Sequence, residues 1–172
     1  MDKSIDRIKC AMIIFELERG LGRICKEQRD LLNNSPTAKE ISKRTPEKAS
    51  DHQSIIENSY LAEVIAIALH VYKGTSLEPW LTNLNGLVVA LSLFEIRNAV
   101  SHPNRPFPSF YWYRCAAIAS DPAIDALGLN EVAHAFINAN EERIQEPPEE
   151  WLHKKKWSVP ALLPDKYEHA IT

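Results

Sequence analysis

From Ser4 to Leu32 apolar residues return at three- and four-residue steps, among them Ile5, Ile8, Met12, Phe15, Leu21, Ile24 and Leu31, with arginines and glutamates between them. That spacing matches the turn of an α-helix and not the alternation of a strand. The chain therefore opens with one long amphipathic helix that must bury its apolar face against other helices. Gly20 and Gly22 each weaken such a helix by up to about 1 kcal/mol relative to alanine, so they mark a bend or a close helix crossing.

The rest of the chain repeats the helical pattern. A polar stretch with two prolines, residues 33–52, predicts a long mobile loop. Ile55, Ile56, Leu61, Val64, Ile65, Ala68, Leu69 and Tyr72 then predict a second helix over 53–72, apolar over so broad a surface that it belongs in the centre. Leu81, Leu84, Leu87, Val88, Leu91 and Phe94 predict a third, from about Glu78 to Ser101, with Pro79 in its first turn. After the proline-rich PNRPFP connection, Ser109 is a candidate cap for a fourth helix, and Asp121–Pro122 fits the start of a short one stopped by Gly128. A last helix over 130–145 ends at Pro147 and Pro148. With no strand-length period-two run and no internal repeat, the expectation is an all-α bundle of about five helices. It would form one domain over residues 1–146, followed by a Pro-rich tail, 147–172.

Charge and cysteine content exclude several classes. Lys plus Arg number 20 against 23 Asp plus Glu, so the chain does not coat nucleic acid by bulk charge, and any RNA contact must be local. Cys10, Cys25 and Cys115 are odd in number, far apart and without a C-x-x-C, which argues against a disulfide scaffold or a zinc site and for a reducing compartment. The charged start MDKSIDRIKC and the lack of an apolar run near the ~20 residues that span a bilayer give no expectation of secretion or membrane insertion, and make the cytoplasm the expected location. His70 and His134 have no second ligand at metal spacing, and no metal or other cofactor is expected.

The segment EIRNAVSHPNRPF, residues 95–107, carries the chemistry. On an ideal helix Asn98 and His102 share a face, while Arg97 lies about 100° away. Pro103 disfavours the helical conformation for His102, so the imidazole is expected at the unwinding end of the helix, free to approach Arg97. Cations in a last helical turn also serve as ordinary caps, complementing the helix dipole.

Helix order and motif together resemble the HEPN superfamily (higher eukaryotes and prokaryotes nucleotide-binding). The likeness covers residues 4 to about 145: a long first helix containing FELERGLGRI, a second apolar helix, and a third ending in R-N-x-x-x-H at Arg97, Asn98 and His102. The 33–52 stretch has no counterpart in that likeness. The resemblance implies a metal-independent ribonuclease that works as a homodimer, with two motifs meeting in one composite site. His102 would exchange protons with the 2′-hydroxyl or the leaving 5′-oxygen, and Arg97 would hold the scissile phosphate. Asn98 would orient His102 or donate to phosphate, with Ser101 in the same polar shell. From the residues themselves, Glu16 and Glu18 on the first helix are candidates to position Arg97, although exposed helical acids are the commoner explanation of both. Some domains of this kind have lost cleavage and act only as interaction modules.

Two further segments bear on RNA and on partners. Arg105, and Lys154, Lys155 and Lys156 between Trp151 and Trp157, form candidate RNA contacts, though a solvated charge run with the tryptophans packed back is the commoner explanation of the lysine segment. WSVPALLPDKYEHAIT resembles the linker that joins an effector module to a STAND-type NTPase, which implies a bacterial defence protein with such a domain further along. No Walker motif occurs in the chain itself.

Overall fold

A computed structural model describes residues 3–45, 52–102 and 104–142; all of the regular structure within them is helical. In chain order the helices are α1 (Lys3–Lys26), α2 (Arg29–Asn33), α3 (Pro36–Arg44), α4 (His52–Glu57), α5 (Leu61–Val71), α6 (Glu78–Ala90), α7 (Leu93–Ser101), α8 (Phe110–Ala119), α9 (Pro122–Ala126) and α10 (Asn130–Asn140). The all-α bundle is as expected, but the helices are shorter and more numerous. The tail 147–172, with Lys154, Lys155, Lys156, Trp151 and Trp157, lies outside the described residues.

The bundle is built around α1, which packs against α5, α7, α8 and α10. From Asp6 to Cys25 only Arg19 and Arg23 are exposed and only Glu16 is half-buried. The expectation of central burial for the second helix is thus corrected: α5 is well buried, but α1 holds the centre. This explains Gly20. A Cβ there would lie 2.9 Å from a methyl carbon of Leu129, a fully buried side chain, so the glycine lets the start of α10 approach the axis of α1. Of the two alternatives it is a close crossing and not a bend, since α1 continues through it.

Three sequence readings are corrected. The supposed loop 33–52 contains α3, begun by Ser35, whose side chain accepts from Ala38 N–H at 3.4 Å, and by Pro36 at the first position. Ala38 and Ile41 pin it to the core. These are the only two buried residues of α3, too few for a periodicity to show. The second helix is broken at Asn58–Tyr60, where the Tyr60 N–H turns to Glu63 at 2.9 Å to start α5 afresh. The third is broken at Leu91–Ser92, with Ser92 at φ 54°, and its halves are bent by 62°. The helical spacing of apolar residues continues from Leu91 to Phe94 across that bend, so spacing could not reveal it. Ser109 makes no side-chain cap, whereas Asp121 caps α9 through Ala123 N–H at 2.9 Å as expected. Among the described residues no single helix is long and apolar enough to cross a membrane.

All three cysteines are buried and unbridged. Burial pushes the Cys25 thiol up to about 12, and burial likewise pushes Tyr72, whose hydroxyl donates to the Ile24 carbonyl at 2.6 Å, up to about 12. Both groups hold their protons more tightly folded than unfolded. Their contribution to stability is therefore complete below the unfolded values, ~8.5 for Cys and ~10 for Tyr, and is lost as pH rises toward 12. Denaturant titrations between pH 7 and 12 are expected to show stability falling from about pH 9. A thiol reagent at pH 8 should label these cysteines at the rate of unfolding, and rapid labelling of the native chain would contradict their burial.

Candidate functional site at the end of helix α7

The bend at Ser92 turns α7 so that Leu93, Ile96, Ala99 and Val100 enter the core, and Arg97 goes in with them. Its Nε donates to Glu18 Oε1 at 3.1 Å, and the two side chains are only 8% and 4% exposed. The guanidinium also lies 5.5 Å from the centre of the Tyr60 ring, which carries Arg44 at 4.9 Å as well. Arg44 in turn is joined to Glu63 in a two-pronged ion pair and to the Asn58 carbonyl at 2.6 Å. The α3 segment that sequence reading left as a loop thereby reaches the same aromatic ring as Arg97.

Asn98 and His102 face the other way and are exposed, as one face of the helix requires. His102 leaves the helix in extended conformation, φ −124° and ψ 95°, in keeping with the proline that follows it. Its imidazole makes no hydrogen bond or ion pair with the described residues. Ser101 is buried and spends its hydroxyl on the Arg97 carbonyl at 3.2 Å, so it is not available to a ligand in this arrangement. Arg105 is exposed in the turn beyond His102, whose carbonyl accepts from the Arg105 N–H at 3.0 Å.

The single chain thus presents an imidazole and a carboxamide to solvent, while the guanidinium of the motif is turned inward to Glu18 and the Tyr60 ring. Glu16 does not join this group. Residues two positions apart on a helix point about 200° away from each other, so only one of Glu16 and Glu18 can face α7. Glu18 does, while Glu16 accepts from Arg19 at 3.0 Å and borders a cavity of about 310 Å³ with Asn130, Glu131, His134 and Asn138. Val100 and Phe107, which a dimer surface around the motif would have placed outside, are instead buried in the chain's own core. The large apolar side chains left exposed among the described residues include Phe110 and Tyr113 on α8 and Val89 on α6.

One residue absent from the sequence reading is central. Arg7 of α1, 9% exposed, donates through Nη1 to the carbonyls of Ala99 and His102, the latter at 3.0 Å, and through Nη2 to that of Arg105 at 2.9 Å. Arg7, Ala11, Ile14, Glu18, Leu21 and Cys25 form one buried stripe at three- and four-residue steps. A charge inside an apolar stripe is the signal that would have singled out Arg7.

Fold and site together define an all-helical bundle with an Arg-Asn-x-x-x-His segment anchored at both ends on its central helix. No family model, no curated protein and no solved structure matches the chain.

Proposed function

We propose that the chain is a metal-independent endoribonuclease effector of HEPN type, acting on single-stranded or loop RNA. The observation that carries the reading is the exposure of His102 and Asn98 at the end of α7, the helix that also holds Arg97 in place against Glu18. His102 accepts the 2′-hydroxyl proton as that oxygen attacks phosphorus, and a protonated imidazole donates to the departing 5′-oxygen. The products are a 2′,3′-cyclic phosphate and a 5′-hydroxyl. Asn98 orients the imidazole or donates to phosphate. Arg97 stabilises charge on the phosphate oxygens once it exchanges the Glu18 carboxylate for them, one charge-assisted bond replacing another.

In this reading two copies of the chain complete the site, cleavage takes place in the cytoplasm, and an NTPase domain beyond the tail controls assembly in a bacterial defence system. RNA contacts are supplied by Arg105 and by Lys154, Lys155 and Lys156. The depth of Arg97 favours one other reading: a module that dimerises or relays assembly without cleaving, in which the Glu18–Arg97 pair is only structural.

Incubating the purified chain with total RNA and matched DNA in EDTA separates the two. Cleavage of RNA alone, leaving cyclic phosphate ends, is the expected result, because DNA lacks the internal nucleophile. Attack on DNA, or activity abolished by EDTA, would overturn the mechanism. An intact RNA pool at concentrations where the chain is dimeric would favour the non-cleaving module.

A further inference from the structure

We propose that Arg7 is a positioning residue for His102, fixing from the central helix the turn that carries the imidazole; its catalytic consequence rests on the nuclease reading above. The last carbonyls of a helix lack partners within it and are commonly served by a glycine-based turn or by water. Here Ser101 is followed by His102 and Pro103, so no glycine is at hand. The Arg7 guanidinium fills the place, bonding the carbonyls of Ala99, His102 and Arg105 from a helix distant in sequence. Its carbon lies 4.9 Å from the centre of the Phe107 ring, and that ring stands edge-on to Tyr111 of α8 at 5.2 Å. The clamp therefore ties three elements together: α1, the turn at 102–105 and α8.

Only arginine suits this geometry. Its planar fork addresses several carbonyls at once while its face rests on an aromatic ring, whereas lysine offers a compact point charge with rotatable donors. Among the described residues the imidazole has no side-chain bond to hold it, so its place is set by the backbone that Arg7 grips. Displacement of a catalytic group by about 1 Å commonly costs on the order of 100-fold in rate.

The test uses the full chain with Arg7→Lys and Arg7→Gln. In variants that still melt cooperatively, kcat on single-stranded RNA is expected to fall about 10- to 100-fold with KM nearly unchanged. Amide exchange at Arg105 is expected to accelerate and the His102 imidazole NMR signals to shift. Unchanged kcat and unchanged exchange in folded variants would overturn the proposal. Should both variants fail to fold, the wild-type chain decides. Separate, slowly exchanging Arg7 Nη–H signals with cross-peaks to residues 99–107 uphold the clamp, and averaged, rapidly exchanging ones refute it. If wild-type protein cleaves no RNA, the nuclease reading falls alone, and the exchange and imidazole signals still decide whether Arg7 holds the turn.

Discussion

Arg97→Ala is expected to destabilise the fold by about 3–5 kcal/mol, because it leaves the Glu18 carboxylate buried without its cation. For a chain of this size that corresponds to a fall in melting temperature on the order of 10 °C, readable by calorimetry or circular dichroism. The loss belongs mainly to the abandoned charge and less to the intrinsic worth of the pair. Replacing both partners with apolar residues of similar volume, as in Glu18→Leu with Arg97→Met, should therefore recover most of the stability. A double variant as unstable as the single one would mean that the surroundings of Arg97, including the Tyr60 ring, carry the energy instead. The result also governs how activity data are read. A dead Arg97→Ala protein shows nothing about phosphate binding unless it is folded at the assay temperature, and the stabilised double variant is the cleaner probe.

His102→Ala should do the opposite. The side chain is exposed and makes no hydrogen bond or ion pair with the described residues, so its removal is expected to change stability by no more than about 0.5 kcal/mol. Cleavage of RNA is nevertheless expected to fall by about 100- to 10,000-fold, the usual contribution of a positioned general acid or base. Initial rates on a labelled single-stranded RNA, with melting curves of the same preparations, provide both numbers. Full activity in His102→Ala would remove this imidazole from the chemistry. A stability loss of several kcal/mol would show that the residue is held by contacts that its exposure in one copy does not reveal.

How much of this could be read from the sequence depended on whether a feature repeats. The long periodic run of α1 was legible, and so were the Asp121–Pro122 start and the stop at Gly128, where φ is 68°. The 62° bend was not, because a single residue at positive φ leaves the apolar spacing on either side unchanged, and serine does not announce that conformation as glycine would. The α3 helix was hidden by its polarity, although Ser35–Pro36 is a proper cap and first position. At the site, the extended conformation of His102 followed from Pro103. The inward turn of Arg97 did not, since it depends on the bend. Arg7 was overlooked because a charged residue between Ile5 and Ile8 is ordinarily assigned to the wet side of a helix, and only the bundle shows that α1 has almost no wet side.

The arrangement of Arg97 and His102 also divides what inheritance can do with them. On the proposed nuclease reading, the arginine, tied into the interior through Glu18, would be kept by a descendant that gave up cleavage, in order to remain folded. The histidine stands outside that constraint and would drift as soon as its chemistry ceased to matter. Among chains sharing this architecture, residue 97 is therefore a poor reporter of activity and residue 102 a good one. A bundle that kept the arginine and lost the histidine would be the expected fossil of a nuclease turned scaffold.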